Sequence, residues 1–123
     1  MTKDSERKIS ELKEKIKDFC EVRDWDQFHN AKDLAIALSI EVSELLEIFR
    51  WKTREEVQDL FKDEKKKENI QDEMADILYF LVRIAQRYDI DLSEAFDKKM
   101  EKNEQNYPVE KSKGCHKKYN ELD

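Results

Sequence analysis

Glu41 and Glu44, and again Glu73 and Asp76, are pairs of carboxylates three residues apart, set inside the two most apolar stretches of the chain. At about 100° per residue, Glu41 falls in the arc of Leu34, Leu38 and Leu45, and Glu73 in the arc of Ile70, Ile77 and Ile84. Acids on those arcs point inward. An unpaired buried carboxylate costs on the order of several kcal/mol, or its pKa shifts until it is neutral, so four that converge require a cation. A divalent metal ion satisfies them.

An i, i+3 pair sets two carboxylates about 60° apart on a helix, close enough to reach one ion or two neighbouring ions. Two such pairs on facing helices form a cage of four. Neither motif holds a histidine, unlike the ferritin-like di-iron pattern, and all-oxygen ligation favours Mg²⁺ or Mn²⁺ over zinc or iron. Magnesium binds through a few carboxylates together with substrate phosphates, which points to a polyphosphate ligand and phosphoanhydride chemistry. The competing reading is a helical interaction protein whose acids line a polar seam or hold a structural cation. Glu is abundant here, and Glu6, Glu11, Glu14 and Glu101-x-x-Glu104 are solvent-facing decoration. Placement within apolar arcs is what distinguishes the two chosen pairs. Glu47 extends the first pair by another step of three but drifts to the edge of the apolar face, where it either assists a metal or is solvated.

The elements that must position these acids are helices. One Gly and one Pro in 123 residues, with 44% charged and 38% hydrophobic residues, suit one all-α domain. A chain with long helices and few loops often completes its core by oligomerising, so a homo-oligomer is expected. The period of Ile9, Leu12, Ile16 and Phe19 predicts a first helix over about 4–21. The ring-rich segment 23–29 breaks it. Asn30 is placed to cap a second helix over about 31–50, and Thr53-x-x-Glu56 forms a capping box for a short third helix through Phe61. After a solvated charged run over 62–68, a fourth helix from about Lys66 to Tyr88 carries the second acidic motif. A fifth runs from the Asp91-x-x-Glu94 box to about Asn106. Residues 1–108 read as one domain and 109–123 as a polar tail, flexible in isolation.

The net charge of -6 and a pI near 5.1 argue against a nucleic-acid polymer as ligand, since phosphate backbones select basic faces. Cys20 and Cys115 share no metal-ligand spacing, and the charged start of the chain holds no apolar signal core. The expectation is a soluble, reduced, cytoplasmic protein without a membrane span.

These motifs resemble the MazG-like nucleotide pyrophosphohydrolases. E-x-x-E on one helix and E-x-x-D on the next long one carry the resemblance. Segment 23–29, Phe49-Arg50-Trp51-Lys52, and Lys99-x-x-x-Asn103-x-x-x-Tyr107-Pro108-Val109 extend it to the dCTP pyrophosphatase branch, over about 19–113. The resemblance implies a helical bundle assembled as a dimer of dimers, with sites near subunit contacts. It implies hydrolysis of a nucleoside triphosphate to the monophosphate and pyrophosphate, with Mg²⁺ on Glu41, Glu44, Glu73 and Asp76 and a polarised water attacking the α-phosphorus. Which acid is the base stays open. Lys99, Asn103 and Tyr107 would face the phosphates. Trp25, His29 and Trp51 would form the base pocket, although His29 could instead cap or underlie the second helix. Phe80 stands where this branch tends to carry a tyrosine, which removes a hydroxyl and leaves the base preference open. A dUTP-type or phosphoribosyl-ATP-type hydrolase, sharing the carboxylate cage, is the alternative within the superfamily.

Overall fold

The computed structural model describes residues 1–123, and every regular element in it is helical, as the composition requires. Helix α1 spans Ile9–Glu21, α2 Ala31–Phe49, α3 Arg54–Leu60, α4 Glu64–Arg87, α5 Leu92–Asn106 and α6 Val109–Ser112. Short 3-10 turns lie at Asp4–Glu6, Asp26–Phe28 and Tyr119–Glu121.

Local chemistry sets the boundaries. The Asn30 side chain accepts from Asp33 N at 2.9 Å and starts α2. At α3, Thr53 Oγ1 accepts from Glu56 N at 3.2 Å while Thr53 N donates to Glu56 Oε1 at 3.1 Å, both halves of a capping box. Asp91 accepts from Glu94 N at 2.9 Å and opens α5. Two starts differ from the sequence expectation. Helix α1 begins at Ile9, not near Asp4, because the polar residues before Ile9 have no apolar face to pack. Helix α4 begins at Glu64, because Asp63 supplies a cap by accepting from Lys66 N at 3.1 Å. The charged run therefore forms the solvent-exposed first turns of α4.

Backbone packing groups residues 1–89 as one unit and 90–123 as another. In the first unit α4 packs against both α2 and α1. Its core is Ile16 and Cys20 from α1, Leu34 from α2, Leu60 from α3 and Ile70, Val82 and Ala85 from α4. The same helix that carries Glu73 and Asp76 is thus the one held on two sides. In the second unit, α5 is followed by Pro108, α6 and the last 3-10 turn, and the rings of Tyr107 and Tyr119 meet edge to face at 6.2 Å. No helix is long and apolar enough to cross a membrane.

Candidate metal centre

Helices α2 and α4 bring three of the four sequence-selected acids together. Glu41, Glu73 and Asp76 each offer a carboxylate oxygen, and these oxygens lie within 4.8 Å of one another. Glu41 and Glu73 are half-buried, Asp76 exposed. The Oε2 atoms of Glu41 and Glu73 are buried with no hydrogen-bond partner. Orphaned acceptor oxygens at a cluster of carboxylates are what a hard cation would satisfy, so the donor set fits Mg²⁺ or Mn²⁺.

Electrostatics carry the same signature. Glu41 is pushed up to about 7, first by desolvation, then by its close contacts with Glu73 and Glu44 and by the charges of Glu44 and Asp76. Glu73 is also raised. Its contact with Glu41 pulls it down, but desolvation and the neighbouring Glu44 and Asp76 outweigh that. Glu44, exposed on the next turn of α2, therefore stands close enough to load both, although it lies outside the three-oxygen cluster. Glu47 is exposed and pairs with Arg50 at 3.4 Å, on the solvated edge. A cavity of about 400 Å³ lies between the end of α2, α3 and the start of α4, and none of the cluster's acids lines it. Asn69 in its wall lies one helical turn before Glu73.

The aromatic residues divide. Trp25, His29 and Phe80 belong to one chain of ring contacts: Phe80 to Tyr79 at 4.9 Å, Tyr79 to Phe19 at 6.1 Å, Phe19 to Trp25 at 5.6 Å and Trp25 to His29 at 6.1 Å. Tyr79, whose hydroxyl contacts Cys20 Sγ at 3.2 Å, is held above its ordinary pKa by desolvation and that contact. Trp51 is elsewhere. It follows the far end of α2, whose 19 residues span about 28 Å. It is 87% exposed, with its φ of 64° in the left-handed region that bulky residues rarely adopt and the Arg50 guanidinium 4.8 Å from its ring. Within one chain it does not share a pocket with Trp25 and His29. Lys99, Asn103 and Tyr107 follow one another at four-residue steps on and just after α5, in the second unit.

Sequence reasoning missed Arg83 and Arg87. Arg83 is 0% exposed, and its guanidinium is fully engaged: Nε donates to His29 Nδ1 at 3.0 Å, one terminal nitrogen to Gln86 and the other to Asp26 Oδ1. Arg87 adds contacts to the His29 and Asp26 carbonyls, both at 3.3 Å. The Arg83 hydrogen bond, then the two arginine charges, hold the Asp26 carboxyl below its usual range against some desolvation. His29 is lowered by desolvation and by Arg83 and Arg87, against the pull of Asp26. The one available signal was two arginines, four residues apart, near the end of a helix whose second half is apolar.

The profile of the MazG-like family matches residues 36–122. The chain is 41% identical over 105 residues to a mouse protein named dCTP pyrophosphatase 1, covering 85% of this chain and 62% of the relative. The bovine protein of that name is 38% identical over 118 residues, 96% of this chain and 70% of the relative. The chain thus spans less than two thirds of the mouse relative's length. It is also similar to the crystal structure of a pyrophosphatase from Archaeoglobus fulgidus, with a TM-score of 0.76 and 39% identity over 81% of this chain and 92% of that one.

Proposed function

The chain belongs to the MazG-like family, and we propose that it is a Mg²⁺-dependent nucleoside triphosphate pyrophosphohydrolase that converts dCTP, or a related modified pyrimidine deoxynucleotide, to the monophosphate and pyrophosphate. The observation that carries this reading is the Glu41, Glu73 and Asp76 cluster with its two orphaned buried oxygens. The names of the similar mouse and bovine proteins support the substrate.

Glu41, Glu73 and Asp76 would hold the cation, with Glu44 adjoining. A bound Mg²⁺ supplies Lewis-acid polarisation of water and of phosphate oxygens. The carboxylates set the conditions for that. Desolvation and the charges of Glu44 and Asp76 raise the pKa of Glu41, so a cation held there would offset the repulsion among these carboxylates. The family resemblance assigns Trp25, His29 and Phe80 to the base side and would give Lys99, Asn103 and Tyr107 the phosphates.

Trp51 lies about one α2 length from Trp25 and His29, so its share in a base pocket calls for a second copy of the chain. A homo-oligomer, dimer or tetramer, supplies it. Exposed apolar side chains on α2 and α4, including Ile36, Ile40, Leu46, Met74, Leu78 and Leu81, favour such an assembly. The setting is cytoplasmic and the role nucleotide-pool sanitation. A dUTP-type preference is the second reading, since the missing hydroxyl at Phe80 leaves the base preference open.

The test is pyrophosphate release from a panel of ribo- and deoxynucleoside triphosphates, 5-substituted dCTP included, with Mg²⁺ and with chelator. Magnesium-dependent release with a cytosine preference is expected. Release from dUTP alone selects the second reading, and silence across the panel overturns both in favour of a helical interaction protein.

A further inference from the structure

Glu73, Asp76, Phe80, Arg83 and Arg87 succeed one another along α4 at steps of three, four, three and four, so they share one stripe of a single rigid helix. The acids occupy one end and the arginines the other. Seven residues separate Asp76 from Arg83, about 10 Å along the axis. A nucleotide with its phosphates at the acids would reach the arginine end with its base.

What the arginine end fixes is the orientation of segment 25–29. Arginine keeps its protons at every relevant pH and its Nε only donates, so the bond from Arg83 Nε to His29 Nδ1 requires a bare lone pair on Nδ1. A neutral imidazole then carries its proton on Nε2. That atom makes no hydrogen bond within the chain, while the ring stands beside Trp25. Arg83 cannot swing away: it is fully buried, and Asp26 and Gln86 hold its other two nitrogens. A buried guanidinium stripped of these partners would be strongly destabilised, so the geometry is over-determined.

We infer that Arg83 is a positioning residue for substrate selection, committing His29 to the Nε2–H tautomer so that the base pocket presents a fixed hydrogen-bond donor to an acceptor on a pyrimidine ring. The charged groups facing His29 are Arg83 and Arg87 from α4 and Asp26 from its own segment, and their sum, with desolvation, keeps the ring neutral. The inference rests on the nucleotide reading above for its ligand, but the tautomer is a property of the free protein.

The first measurement is a long-range ¹H–¹⁵N spectrum of the imidazoles in the full chain at pH 7. The expected result is a His29 ring protonated at Nε2 and bare at Nδ1, and a proton on Nδ1 would overturn the inference without any variant being made. Kinetics with dCTP follow. Arg83→Met should raise KM about tenfold, one hydrogen bond's worth of binding, with kcat within about twofold. At position 29, Gln can accept from Arg83 through Oε1 and still donate outward, so His29→Gln should keep KM within about threefold while His29→Leu repeats the tenfold rise. Equal KM values in His29→Leu and wild type would reduce Arg83 to a fold clamp. Absence of turnover in the wild type would instead overturn the nucleotide reading and the selection role together.

Discussion

Glu41 and Glu73 face each other from different helices, α2 and α4, and each keeps its Oε2 atom buried without a hydrogen-bond partner. Their pKa values are raised in the folded protein, Glu41 to about 7. Between the ordinary carboxylate range and pH 7, the folded chain therefore binds more protons than the unfolded chain. By linkage, this contribution to stability is fully present below the unfolded pKa near 4.5 and is lost as pH rises through about 7. His29 acts in the opposite sense: its lowered pKa contributes stability above the unfolded value near 6.5 and loses it on acidification.

The two contributions separate by substitution. In chelator, raising the pH from 5 to 8 should lower the melting temperature of the wild type relative to Glu41→Gln, and the gap should close when Mg²⁺ is added to the wild type. Thermal scans of both proteins across that range decide the matter. Parallel curves would mean that the Glu41 carboxyl is not strained by its neighbours.

Turnover should depend on the same atoms. Glu41→Gln and Asp76→Asn should each lower kcat/KM at least about 100-fold, a loss of roughly 3 kcal/mol of transition-state stabilisation, with the far-ultraviolet circular dichroism unchanged. Glu47→Gln should stay within about threefold of wild type, because Glu47 already pairs with Arg50 in solvent. Full activity in Glu41→Gln would remove the cation from the reading.

Much of this site was legible because the acids break a pattern that helical periodicity makes visible: a carboxylate at position 41 or 73 occupies a place where Leu or Ile would be ordinary. Asn30 and Thr53-x-x-Glu56 marked helix starts for the same local reason, a side chain that reaches its own backbone three residues on. Arg83 was not legible, since its partners His29 and Asp26 are 54 and 57 residues away in sequence and nothing local distinguishes a buried arginine from a solvated one. Trp51 was grouped with Trp25 and His29 by residue type, and the length of α2 separates them. Glu64 was lost to the connection because Asp63, within a run of charges, gives no contrast as a cap.

Trp51 can be removed without touching the core. With 87% of its surface exposed and the Arg50 guanidinium over its ring, Trp51→Ala should leave the melting temperature within about 2 °C of wild type, a surface-substitution effect. Base stacking on an aromatic ring is worth about 1–3 kcal/mol, so KM for dCTP should rise roughly tenfold. A KM unchanged within error would exclude Trp51 from the base pocket.

The distance between Trp51 and the Trp25–His29 segment carries the last prediction, which concerns who completes the site. If one chain supplies Trp51 to a pocket whose other walls belong to its neighbour, disrupting the apolar stripe between copies must cost activity even where no substrate is touched. Leu46 is 67% exposed on α2, and Leu78 on α4 is also exposed, so charged residues at both positions are tolerated by the monomer fold but not by an apolar interface. Leu46→Glu/Leu78→Asp should run as a monomer in light scattering, retain its helical content and show KM for dCTP raised at least as far as in Trp51→Ala. Mixing Glu41→Gln with Trp51→Ala, each defective at a different wall, should restore a fraction of turnover as copies exchange. Wild-type kinetics from a monomeric double variant would place the whole pocket within one chain and exclude Trp51 from it, since the length of α2, about 28 Å, lies between Trp51 and the 25–29 segment.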